Sequence, residues 1–101
     1  MRENHILIID DDLMLLKTAE EILSVQYNVS VAKSGIQALN LLNKNIIPDL
    51  ILLDIDMPQM DGYETLEEIK KIPRCELIPI IFLTGFSEMD YEVRGLKAGA
   101  V

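Results

Sequence analysis

The chain has 101 residues, half of them hydrophobic, with 5 Gly, 4 Pro and a formal net charge of −8. That length and apolar content fit one compact domain spanning residues 1–101 and exclude intrinsic disorder. The acidity argues against direct nucleic-acid binding, which needs clustered Lys and Arg, and no apolar run approaches the roughly 18–20 residues that cross a bilayer. Met1-Arg2-Glu3-Asn4 lacks a signal-peptide profile, and the lone Cys75 cannot form an internal disulfide, so the expected home is the reducing cytoplasm.

In chain order, Ile6-Leu7-Ile8-Ile9 is a continuous apolar run, the pattern of a strand covered on both faces of a parallel sheet. It runs into Asp10-Asp11-Asp12. Leu16, Ala19 and Leu23 then recur on one face of a helix. Asn28-Val29-Ser30-Val31-Ala32 alternates instead, which predicts an edge strand with one face partly wetted. Ser34 stands where it can N-cap a second helix, whose apolar face carries Ala38, Leu39 and Leu42. Leu50-Ile51-Leu52-Leu53 is another continuous run and ends in Asp54, trailed by Asp56. Leu66 and Ile69 mark a third helix with Glu64, Glu67, Glu68, Lys70 and Lys71 on its other face, and Pro73 is expected to end it. Pro79 falls at the start of a last strand, Ile80-Ile81-Phe82-Leu83, followed by Thr84-Gly85. Met89, Val93 and Leu96 predict a fourth helix.

Strands alternating with helices imply an α/β fold with right-handed crossovers and a doubly wound parallel sheet. Such sheets bind ligands beyond the carboxyl ends of their strands, where the strand order reverses. The last strand has no charge, bulge or interior Pro to guard an open edge. Another strand is therefore expected beside it, and the chain is expected to be C-terminally incomplete.

A parallel sheet that sets the first and third strands side by side brings Asp10, Asp11 and Asp54 into one pocket. Two carboxylates about 4 Å apart repel by roughly 4 kcal/mol at an effective dielectric near 20. A cation relieves that cost, and an all-oxygen donor set favours Mg²⁺, Mn²⁺ or Ca²⁺ over zinc. Mg²⁺ bridging carboxylates to phosphate oxygens is phosphoryl chemistry. Ionised at neutral pH, Asp54 could attack phosphorus without a general base, and a Thr84 hydroxyl could donate to an incoming phosphoryl oxygen. Plainer roles stand beside these. Asp12 suits a helix N-cap as well as a ligand position, and Asp49 reads as structural. His5 reads as solvated or packed, Cys75 as an inert loop residue, and Tyr63 and Tyr91 as packing or surface groups. Met57 should pack at the base of a loop that Pro58 turns.

Together, Ile6 to Asp12, Asp49 to Gly62 with its Asp54, Met57-Pro58 and Asp61-Gly62, and Ile80 to Gly85 resemble the response-regulator receiver domain. The resemblance implies a flavodoxin-like sheet, four of five βα units, with strand order 2-1-3-4. It implies that Asp54 accepts a phosphoryl group from the phosphohistidine of a histidine kinase or histidine phosphotransfer protein. Asp11, Asp54 and the backbone carbonyl of Asp56 are implied as ligands of Mg²⁺, with Mn²⁺ as a substitute. Asp10 would hold the metal through water, and Thr84 would be the switch hydroxyl. The domain is then a signalling switch rather than an enzyme, although it can promote its own phosphorylation and dephosphorylation. The family's fifth strand, its Lys and its fifth helix would lie beyond Val101. Their lack would uncover apolar sheet surface on the side of the first helix, so self-association is expected. Two other classes fit less well. One is a phosphorylation-independent interaction module. The other is a haloacid-dehalogenase-like phosphatase, suggested by Asp54-Ile55-Asp56 but not by the Met57-Pro58 that follows.

Overall fold

Strand formation follows the apolar runs. The computed structural model describes residues 4–83. In them lie β1 (His5–Ile9), α1 (Leu13–Leu23), β2 (Asn28–Ala32), α2 (Gly35–Asn43), β3 (Leu50–Asp54), α3 (Gly62–Lys70) and β4 (Ile80–Leu83). The strands form one parallel sheet in the order β2-β1-β3-β4. This is the flavodoxin-like order that the family resemblance implied, and β2 takes the edge that its alternation predicted. The predicted fourth helix of Met89, Val93 and Leu96 lies outside the described residues.

Each helix starts at a side-chain cap that satisfies otherwise orphaned amides. Asp12 accepts from the amides of Met14 at 3.0 Å and Leu15 at 3.2 Å, which settles its plainer role as the N-cap of α1. Ser34 accepts from the Gln37 amide at 3.0 Å and caps α2 as foreseen. Asp61 and Glu64 make a reciprocal capping box at the start of α3. The third helix stops at Lys70 with Lys71 as its C-cap, short of Pro73. The pyrrolidine ring disfavours helical geometry in the residue before it, so Ile72 is extended and Pro73 opens a 3₁₀ turn, Pro73–Cys75. Cys75 is fully buried in that turn and is not the loop residue the sequence suggested; burial also pushes its thiol pKa up.

The sheet is unequally covered. On the face packed by α2 and α3, Leu7, Ile9, Ile51, Leu53 and Ile80 join Ala38, Leu42, Leu66 and Ile69 in one buried core. On the α1 face, among the described residues, only Ile6, Ile8 and Leu16 form a buried cluster, with Ala19, Leu23, Leu50 and Leu52 partly covered around them. β1 is therefore buried on both faces, as its continuous run predicted. β3 is not: Ile51 and Leu53 are buried while Leu50 and Leu52 stay half-buried. A groove of ≈ 400 Å³ lies beside α1, lined by Ile6, Leu23, Tyr27, Leu50 and Leu52 among others. Apolar content alone does not separate a strand with two covers from one with a single full cover.

At the amino ends of the two central strands, His5 and Asp49 clasp each other. The His5 amide donates to Asp49 Oδ2 at 2.8 Å, and the Asp49 amide donates to the His5 carbonyl at 2.7 Å. The His5 ring also meets Ser30 Oγ at 2.7 Å across to β2. Both residues hold strands together.

Candidate functional site

β1 and β3 are in register from Ile6 opposite Leu50 to Ile9 opposite Leu53. The next residue on each strand is an aspartate, so Asp10 and Asp54 leave the sheet side by side at the point where strand order reverses. One carboxylate oxygen from each of Asp10, Asp11 and Asp54 lies within 4.8 Å of the other two. The convergence expected from the sequence is present. Asp10 is buried, Asp54 is half-buried and Asp11 is exposed, which leaves the group open to solvent on one side.

The backbone fixes Asp10 firmly. Its amide donates to the Ala32 carbonyl at 3.0 Å, and its Oδ1 accepts the Asp12 amide at 2.9 Å. Burial raises the Asp10 pKa, opposed by the Asp12 amide and by a hydrogen bond with Asp54, while the charges of Asp11 and Asp12 raise it further. Asp54 is pushed up to about 7, first by burial and then by the charges of Asp10 and Asp11. The sequence suggested a carboxylate fully ionised at neutral pH. Burial and the neighbouring carboxylates instead oppose ionisation of this one in the absence of a cation.

The segment after β3 returns sharply to α3. The Ile55 carbonyl accepts both the Met57 amide at 3.2 Å and the Gly62 amide at 2.8 Å. The Met60 amide donates to the Pro58 carbonyl at 2.7 Å, and Gln59 takes a left-handed φ of 68°. Ile55 and Met57 are buried beneath this turn, and Tyr63 packs edge-on against Phe82 with ring centroids 5.1 Å apart. Met57 and Tyr63 thus pack as expected.

Asp56 is exposed, and its carboxylate is not among the three grouped ones. Asp12 serves as a cap and Asp49 as a clasp; neither joins the group. Thr84 lies outside the described residues, although Leu83 just before it is in register with Asp54. Sequence reasoning missed the capping box, whose Asp-x-x-Glu spacing at residues 61–64 could have revealed it. The positive φ of Gln59 carries no sequence signal.

Three carboxylate oxygens without nitrogen or sulfur donors make a hard, anionic set. Such a set fits Mg²⁺, Mn²⁺ or Ca²⁺, and a small cation would offset the burial and the repulsion that together raise the Asp54 pKa.

Residues 6–101 match the sequence pattern of the response regulator receiver domain. The chain is 45% identical over 96 residues to a probable cyclic di-GMP phosphodiesterase of Vibrio cholerae, covering 95% of this chain and 22% of that protein. Its fold superposes with a TM-score of 0.87 on the N-terminal domain of a response regulator receiver protein from Methanoculleus marisnigri, at 36% identity, covering 98% of this chain and 80% of that one. It is also similar to the Mn(2+)-bound form of response regulator Rcp1, with a TM-score of 0.82 and 27% identity over 96% of this chain and 76% of that one. The chain spans less than half the length of the curated relatives it matches.

Proposed function

The chain belongs to the response regulator receiver domain family, and from that premise we propose that it is a phosphorylation-controlled switch with Asp54 as phosphoacceptor. The donor is the phosphohistidine of a histidine kinase or histidine phosphotransfer protein in the cytoplasm. An Asp54 carboxylate oxygen forms the new bond to phosphorus as the bond from phosphorus to the histidine nitrogen breaks, and that imidazole leaves with the electron pair. Asp11 and Asp54, with the Asp56 backbone carbonyl, would hold Mg²⁺ or Mn²⁺, while Asp10 would act through water. Bound there, the cation supplies charge neutralisation for the carboxylates and the phosphoryl oxygens. Thr84 donates its hydroxyl hydrogen bond to the transferred group. The new charge then shifts an existing conformational equilibrium that an effector domain reads.

The observation that carries this reading is the meeting of three carboxylate oxygens within 4.8 Å at the ends of adjacent parallel strands. The Mn²⁺-bound form of a similar response regulator supports a divalent cation. A test is labelling by a small phosphodonor such as acetyl phosphate. The expected result is one acid-stable, base-labile phosphoryl group per chain, dependent on Mg²⁺ and absent from Asp54→Asn. Equal labelling of that variant would remove Asp54 from the chemistry. A generic phosphatase substrate should stay intact, as befits a switch; sustained turnover would favour the dehalogenase-like reading instead.

A further inference from the structure

Resting on the reading of Asp54 as metal ligand and phosphoacceptor, we propose that Gly62 is a positioning residue that sets where the Asp54 carboxylate stands. Gly62 is the first residue of α3, eight positions beyond Asp54 in sequence, yet it is buried against the end of β3. A Cβ placed on it would collide with the backbone carbonyl oxygen of Asp54 and would approach the Ile55 Cα to 2.7 Å. Both obstacles are main chain, so no rotamer change can relieve them. The Gly62 amide meanwhile donates to the Ile55 carbonyl at 2.8 Å, and that oxygen also takes the Met57 amide. The helix end thus lies against the Asp54–Ile55 peptide and is tied to the next one, Ile55–Asp56. Those two consecutive peptides join Asp54 to Asp56, so the close approach and the hydrogen bond together bear on both the carboxylate and the proposed carbonyl ligand. The capping box of Asp61 and Glu64 holds the helix end in place behind it.

Gly35 supplies a matched comparison. A Cβ there would also be crowded, but by side chains, those of Thr65 and Met60, away from the Asp54 backbone. Substitution at either glycine should loosen the fold, and only the one at Gly62 should disturb the acidic group.

The test is a calorimetric titration of the full chain with Mg²⁺ alone, comparing the parent with Gly62→Ala and Gly35→Ala. Circular dichroism confirms that each is folded, with trimethylamine N-oxide added equally to all three if needed. Gly62→Ala should bind Mg²⁺ about tenfold or more weakly, in the range found when a residue behind the ligands is lost, while Gly35→Ala binds as the parent does. Equal affinity of Gly62→Ala and parent overturns the proposal, as does equal weakening in both variants. A Gly62→Ala chain that stays unfolded even with the osmolyte also overturns it, since the glycine would then support the whole fold. Failure of the parent to bind Mg²⁺ at all would instead strike the reading of the acidic group itself.

Discussion

Replacing Asp54 by Asn should make the metal-free protein more stable, and the gain should depend on pH. The carboxylate oxygens of Asp10, Asp11 and Asp54 lie within 4.8 Å of one another. Unit charges at that spacing repel by about 3 kcal/mol per pair at an effective dielectric near 20 and by about 1 kcal/mol in bulk water. Asp54 is only half-buried, so solvent screening brings the net relief toward the lower figure, about 1–2 kcal/mol in all. The sign follows from linkage. The folded-state pKa is raised from 3.8 to about 7, so between those values the folded chain keeps a proton that the unfolded chain has released. Stability of the parent therefore falls as pH rises through that window, and the loss is complete above it. Asn cannot ionise. Urea unfolding in EDTA should show no advantage for Asp54→Asn near pH 4 and the full advantage at pH 8. Saturating Mg²⁺ should then stabilise the parent at pH 8 by about 1.4–2.7 kcal/mol at 10 to 100 times its dissociation constant, and leave the variant unmoved. An advantage that is constant with pH, or a parent more stable than the variant in EDTA at pH 8, refutes the electrostatic account.

Asp12→Ala removes the α1 cap and should cost about 1 kcal/mol in urea unfolding, with Mg²⁺ affinity changed less than by Asp54→Asn; loss of metal binding as complete as in Asp54→Asn would overturn its assignment as a cap alone. Leu7→Ala opens a cavity in the fully buried core and should cost about 2–5 kcal/mol, whereas Leu52→Ala, on the half-covered face, should cost clearly less; equal losses would contradict the unequal covering of the sheet. Burial of that same face against a second copy predicts a mass that rises with concentration in light scattering, and a stable monomer at high concentration refutes it.

The parallel sheet and the meeting of Asp10, Asp11 and Asp54 were legible because each rests on a strong sequence feature, whereas the full strand order came from the family resemblance. Three apolar runs separated by helix-period segments leave few topologies for a short chain, and acids placed directly after such runs must emerge at one rim. Ser34 was legible as a cap because hydroxyl capping is a local property. Asp12 was not, since a cap and a ligand ask for the same carboxylate in the same place. The half-exposed Leu50 and Leu52 escaped notice because covering depends on which helices reach a strand, and that is decided by tertiary packing. Gly62 was visible only as part of an Asp-Gly pair. The reason for it, a main-chain approach to the Asp54–Ile55 peptide, arises between segments that no short window spans.

The clasp between His5 and Asp49 gives the central strand pair two unlike ends. Its foot is laced by two reciprocal main-chain donors, whereas its head holds like charges that push apart. Whatever neutralises the head, a proton or a cation, relieves repulsion at that rim and leaves the amide ties at the foot untouched.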